Sequence, residues 1–117
     1  MSINSKPNNT ASHWLIQRIS GALLAGLVIW MVYFIYHAQS KDIKSIIDIL
    51  RNPINLIPFA SLIFMSLYHG MLGMQTIIED YVSNIPLRIN LIRAFWVFII
   101  INALIFAIAL VKMIYLK

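Results

Sequence analysis

Ile57-Pro-Phe-Ala-Ser-Leu-Ile-Phe-Met-Ser-Leu-Tyr-His69-Gly-Met-Leu-Gly73-Met-Gln-Thr-Ile-Ile78 is a run of 22 residues without a Lys, Arg, Asp or Glu. At about 1.5 Å of rise per residue a helix of this length covers about 33 Å, enough to cross a bilayer hydrocarbon core of about 30 Å. Lipid offers the backbone no water, so a segment this apolar must satisfy its own amides and carbonyls, and a helix does so within one segment. Two further stretches read the same way, from about Leu15 to Tyr36 and from about Ala94 to Tyr115. Trp14, Tyr33, Tyr36, Tyr81, Trp96 and Tyr115 sit near the ends of the three stretches, where aromatic side chains collect at the membrane–water boundary. The pattern predicts an all-α membrane protein of three transmembrane helices.

Composition leads to the same place. The 117 residues are 61% hydrophobic and 11% charged, and a soluble domain of that size has too little interior to hide so much apolar surface. The net charge of +5 does not indicate nucleic acid, because the nine Lys and Arg stand singly, mostly at the edges of apolar runs, as membrane-edge anchors do. The sequence has no cysteine, so it offers no disulfide, no thiolate zinc site and no ligand for an iron–sulfur cluster. A redox centre held by these residues must use His or Met.

Residues 1–13 form a polar tail with one Lys, and they lack the apolar stretch of a secretory signal and the Arg content of a transit peptide. The expected organisation is therefore this tail followed by a single membrane domain over 14–117, inserted through its own helices in a bacterial inner membrane. Between His37 and Pro53, Ile43, Ile46, Ile47 and Leu50 recur at helical spacing among Lys41, Asp42, Lys44, Asp48 and Arg51, which predicts a short amphipathic helix at the interface. Between Glu79 and Arg93, Asn84 and Pro86 break the helix and Arg88 and Arg93 mark the head-group region. Three spans place the termini on opposite sides. Lys6, Arg18, Arg88 and Arg93 then share one side and Lys41, Lys44, Arg51, Lys112 and Lys117 the other, a balance too even to set orientation.

Polar residues inside the spans carry the chemistry. Ser66, His69, Gln75 and Thr76 lie in the second span, where polar groups are costly unless they pair or act. At about 100° per residue Gly73, Thr76 and Asp80 each fall within roughly 40° of His69. A neutral imidazole can ligate haem iron, and Gly70 and Gly73 remove bulk where a flat macrocycle would approach. The alternative is a His hydrogen-bonded to a neighbouring helix, with the glycines serving close helix packing. Glu79, Asp80 and Tyr81 end the span about 16 Å from His69. There a phenol can donate to a quinone carbonyl beside a carboxylate that relays protons, or the ring can be a belt aromatic next to solvated acids. In the first span Arg18 either snorkels to head groups or joins Asp80 and Tyr81 on their side of the membrane. Gly21, Ala22, Ala25 and Gly26 offer a small-residue face to another helix, and Asn102 in the third span is expected to bond between helices.

The segment Ser66-Leu-Tyr-His69-Gly-Met-Leu-Gly73-Met-Gln-Thr-Ile-Ile-Glu-Asp80-Tyr81-Val resembles the small hydrophobic membrane anchor of succinate dehydrogenase, the one usually given the letter D. That family's pattern is a His, a Gly one turn later and an Asp-Tyr pair three turns along. His13-Trp14-Leu-Ile-Gln17-Arg18-Ile-Ser20 is similar to the start of the family's first helix, and length and span number agree, so the resemblance covers nearly the whole chain. It implies that His69 is one axial ligand of haem b, the other coming from a second anchor subunit, within a shared haem-binding helical bundle. It implies that Tyr81 bonds the ubiquinone head group with Asp80 nearby, and that Arg18 and Trp14 belong to that pocket or its rim. It further implies assembly with an iron–sulfur subunit and a flavoprotein subunit, the amino terminus cytoplasmic and the carboxyl terminus periplasmic. Electrons from succinate would pass through those subunits to quinone, as the tricarboxylic acid cycle feeds the respiratory chain. With no Cys and no nucleotide-binding loop, the chain cannot oxidise succinate unaided. Two other classes remain open at this level, a small homo-oligomeric channel or transporter with His69 and Asp80 along its pore, and a structural accessory subunit without haem.

Overall fold

The computed structural model describes residues 7–116, with side chains from residue 11 onward. Among the described residues there are four helices and no strand: α1 (Pro7–Ala38), α2 (Ile43–Arg51), α3 (Pro53–Tyr81) and α4 (Ile85–Tyr115). α1, α3 and α4 are each long and apolar enough to cross a membrane. α1 and α3 run past the expected bounds of 15–36 and 57–78 at both ends, and α4 starts before the expected 94–115 and ends with it, because helical hydrogen bonding continues through the polar flanks that a hydropathy reading leaves out. The expected tail is itself partly helical, α1 opening at Pro7, while residues 1–6 lie outside the described residues.

Prolines set the starts of α3 and α4. Pro53 disfavours the helical conformation in the residue before it, and Asn52 is extended (φ −65°, ψ 128°), so α2 ends and α3 begins at a single residue. The Asn52 side chain then accepts from the Ile54 amide at 3.1 Å, satisfying one of the first-turn donors. Pro58 lies inside α3 and cannot donate to the Ile54 carbonyl, a loss confined to the opening turns. Asn84 and Pro86 do separate two helices, but the break is only Val82–Asn84. Pro86 sits in the first turn of α4, where a missing N–H costs nothing, and Asn84 accepts from the Leu87 amide at 3.0 Å. Arg88 ties the turn by donating from Nε to the Val82 carbonyl at 2.9 Å.

α3 is the central helix, packed by α1 and by α4, with α2 lying against α3 and the end of α4. Met71, Leu72 and Ile78 of α3 are buried, as are Leu50 of α2 and Leu110 of α4. Phe106 of α4 meets Phe59 and Phe64 of α3 with ring centroids 6.0 and 6.2 Å apart, within the range of favourable aromatic pairs. The helix expected between His37 and Pro53 is α2, which buries Leu50 and half-buries Ile46 and Ile47, while Ile43 is exposed. The Ser45 hydroxyl donates to the Asp42 carboxylate just before it and holds that carboxyl below its ordinary pKa. Arg51 donates from Nε to the Met113 carbonyl at 2.7 Å and from Nη2 to the Leu116 carbonyl at 2.9 Å. It thereby pairs carbonyls that the end of α4 leaves without helical partners.

Two packing expectations are corrected. Asn102 donates to the Phe98 carbonyl of its own helix at 2.7 Å, the local side-chain-to-backbone bond that competes with a bond between helices. Of the small-residue face of α1, only Gly21 lies against α3. Between Gln17 and Leu27 the covered positions are Gln17, Ser20, Gly21, Leu24 and Leu27, whereas Ala22, Ala25 and Gly26 are exposed and a Cβ on Gly26 would meet nothing within 4 Å. Much of the apolar surface of α1 and α4, including Ile29, Val32, Ile105 and Ile108, also faces outward, toward lipid or another subunit.

Candidate haem and quinone site

The second span's polar side chains divide by where their hydrogen bonds go. Ser66 donates to the Leu62 carbonyl at 2.6 Å, Thr76 to the Leu72 carbonyl at 3.1 Å, and Gln75 to Glu79 at 2.9 Å, all within α3. His69 alone of this set reaches another helix, its Nδ1 lying 2.7 Å from Ser20 Oγ of α1. Ser20 is only 3% exposed, and its hydroxyl donates to the Gln17 carbonyl at 2.9 Å. A hydroxyl has one proton, and a carbonyl can only accept. Both contacts are therefore satisfied together when Ser20 gives its proton to Gln17 and accepts from His69 Nδ1–H. A ring with its proton on Nδ1 alone carries its lone pair on Nε2, and the His69 hydrogen bond among the described residues is the one at Nδ1.

Glycine packing around the ring differs from the sequence expectation. A Cβ on Gly21 would sit 3.3 Å from His69 Cε1, so the close approach of α1 to this ring depends on that glycine. A Cβ on Gly70 or Gly73 would meet nothing within 4 Å. These two glycines do not serve helix packing within the described chain. They leave the α3 backbone bare on open space beside His69.

Trp14, Gln17, Arg18, Gly21 and His69 line one groove of about 400 Å³. The Arg18 guanidinium carbon stands 4.4 Å from the centroid of the Trp14 ring, a cation–π contact that holds the charge over the indole. Because α1 and α3 run in opposite directions, the Ser20–His69 contact puts Arg18 about level with Met71 and Trp14 about level with Gln75. Asp80 keeps to the His69 stripe at the end of α3, whereas Tyr81 is about 18 Å along the axis and roughly 120° around it. Asp80 is exposed and Tyr81 is 84% exposed, so neither joins the groove. The expected site residues thus form an inner group of His69, Arg18 and Trp14 and an outer pair at the membrane edge. Sequence reasoning does not single out Ser20 and Gly21 for this site. The signal it offers is their place in the His13–Ser20 motif and the small-residue face, neither of which says which residue meets His69. His13, on the same motif, buries its Nε2 without a partner, and nothing in the fold explains it.

Among the described residues no three His, Asp or Glu gather to hold a metal ion alone. A single imidazole could hold a haem, whose macrocycle supplies most of the iron's ligands itself. The open backbone at Gly70 and Gly73 and the Nε2 lone pair fit such a group.

Fold and site together define a multi-pass helical membrane protein with one histidine bonded between spans in its interior. The chain belongs to the succinate dehydrogenase/fumarate reductase transmembrane subunit family, whose model matches residues 3–111. A succinate dehydrogenase hydrophobic membrane anchor subunit from Rickettsia bellii is 43% identical over 110 residues, covering 89% of this chain and 88% of the relative. Proteins of the same description from Rickettsia felis and Rickettsia typhi are 40% and 35% identical, over 88% and 92% of this chain and 86% of each relative. No solved structure matches.

Proposed function

We propose that this chain is a membrane-anchor subunit of succinate dehydrogenase that helps bind haem b and ubiquinone where electrons from succinate reach the quinone pool. The carrying observation is His69, bonded through Nδ1 to α1 and flanked by the bare backbone of Gly70 and Gly73. Family membership supports the anchor reading over a homo-oligomeric channel. In this reading the chain is a non-catalytic-core part of an enzyme complex. An iron–sulfur subunit and a flavoprotein subunit oxidise succinate, and a second three-helix anchor supplies the other axial His. The complex sits in the bacterial inner membrane with the amino terminus and Tyr81 on the cytoplasmic side.

Each residue then has a physical role. His69 would hold a haem iron through Nε2, and Gly70 and Gly73 would leave room for its macrocycle. Bound there, haem supplies a one-electron centre within the bilayer. Arg18 presents fixed donors over Trp14 to a carbonyl or an anionic group in the groove. Tyr81 donates to a quinone carbonyl at the membrane edge, with the Asp80 carboxylate one residue away to pass a proton.

The test is His69→Leu in the complex purified under mild detergent. The low-spin haem b spectrum should be altered or lost while the soluble subunits still oxidise succinate with an artificial acceptor. A spectrum and midpoint potential identical to those of the parent complex would reject the ligand assignment and favour an accessory subunit without a haem role.

A further inference from the structure

We infer that Ser20 and Gly21 of α1 form a seat that sets the tautomer and plane of His69, so that the first span positions the iron ligand carried by the second. The inference rests on the haem reading above and goes beyond it by assigning a positioning function to α1.

Three observations converge on it. Ser20 is 3% exposed, deep in the α1–α3 contact, and its hydroxyl lies 2.7 Å from Nδ1. The donation to the Gln17 carbonyl at 2.9 Å commits the serine proton, so the oxygen is held as an acceptor toward the ring. Gly21 is the next residue, and only the absence of a Cβ lets the ring edge stand where it does, since a methyl there would lie 3.3 Å from Cε1. The seat therefore has a chemical part and a steric part on adjacent residues of one helix.

A hydrogen bond accepted from the far nitrogen of a ligating His keeps the metal-facing nitrogen in its lone-pair form and fixes the ring orientation. It also makes that nitrogen a stronger donor to the metal. Stronger donation favours the oxidised iron, so the Ser20 contact should hold the midpoint potential down. Ser20→Ala removes the acceptor while leaving a small, apolar side chain that fits the helix.

The experiment compares Ser20→Ala, Ser20→Thr, Gly21→Ala and His69→Leu in the assembled, detergent-purified complex. The readouts are redox titration of the haem and low-temperature electron paramagnetic resonance of its low-spin signal. Ser20→Ala should raise the midpoint potential and change the low-spin signal. Ser20→Thr should return both toward the parent, because a threonine hydroxyl can make the same backward bond to a helix carbonyl. Gly21→Ala should change the signal with the hydroxyl still present, since the ring must shift by a few tenths of an ångström. If Ser20→Ala keeps the parent potential and signal while His69→Leu loses them, the seat is rejected and the ligand assignment stands. If His69→Leu also keeps them, the ligand assignment fails and the seat with it. Where Ser20→Ala does not assemble, Gly21→Ala decides, and a parent signal in that variant overturns the inference.

Discussion

Tyr81 ends α3 with 84% of its surface exposed and no hydrogen bond within the described chain, so its phenol is open to a group from outside. Removing the hydroxyl leaves the ring and any packing in place. Tyr81→Phe should lower quinone reductase activity while sparing succinate oxidation by an acceptor that draws from the soluble subunits. A lost hydrogen bond of about 1–3 kcal/mol corresponds to roughly five- to 150-fold in rate. Steady-state assays with both acceptors check this, and full activity with unchanged sensitivity to quinone-site inhibitors would leave Tyr81 as a belt aromatic. The inner groove is separable from this pair. Arg18→Ala removes both the cation–π contact with Trp14 and the groove's positive charge, and its effect should appear in the haem spectrum or in quinone affinity according to which ligand that charge meets.

Among the elements, α2 and the two helix starts carry the most testable energetics. Arg51 joins α2 to the last carbonyls of α4 and also pairs with Asp48 at 2.9 Å. The Asp48 carboxylate is 56% exposed, and such ion pairs contribute about 0–1 kcal/mol, less than a charged hydrogen bond such as the partly buried one to the Met113 carbonyl, at about 1.5–3 kcal/mol. Arg51→Ala should therefore destabilise the complex clearly more than Asp48→Ala, as thermal unfolding in detergent would measure. It should also expose the carboxyl-terminal end of α4 to protease. Equal effects would mean that the ion pair is the important contact. Asn84→Ala removes the cap of α4 and should cost about 0.5–2 kcal/mol, whereas Asn84→Asp retains an acceptor for the Leu87 amide and should cost little.

For the whole molecule, three antiparallel spans put residue 12 and residue 84 on one face of the membrane and residue 40 on the other. Cysteines introduced at Ser12 and Asn84 should react with an impermeant thiol reagent from the same side, and one at Ser40 from the opposite side. The absence of native cysteine makes the measurement clean. Labelling of Ser12 and Asn84 from opposite sides would exclude this arrangement. The exposed apolar faces of α1 and α4 add that most of the chain's surface must be covered by lipid or by other subunits.

Span number, the short amphipathic helix between His37 and Pro53 and the break at Asn84 could all be read from the sequence, because each follows from local chemistry. A helix of about 20 apolar residues matches a bilayer, amphipathic spacing marks an interface, and Asn before Pro or near it ends one helix and caps the next. His69, Asp80 and Tyr81 stand out as candidates for a related reason, since polar residues show against an apolar background at fixed helical spacing. What was not legible is which faces meet. Composition marks Gly21, Ala22, Ala25 and Gly26 alike as small, and only packing against α3 separates Gly21, where a Cβ would crowd His69, from Gly26, where a Cβ would meet nothing within 4 Å. Likewise Asn102 and His69 both read as polar groups seeking a partner. Their different outcomes, an own-helix carbonyl for one and Ser20 of another helix for the other, depend on the rotation of each helix about its axis. That rotation is a property of the packed helices together, because it is fixed by contacts between residues far apart in the chain, and no single segment encodes it.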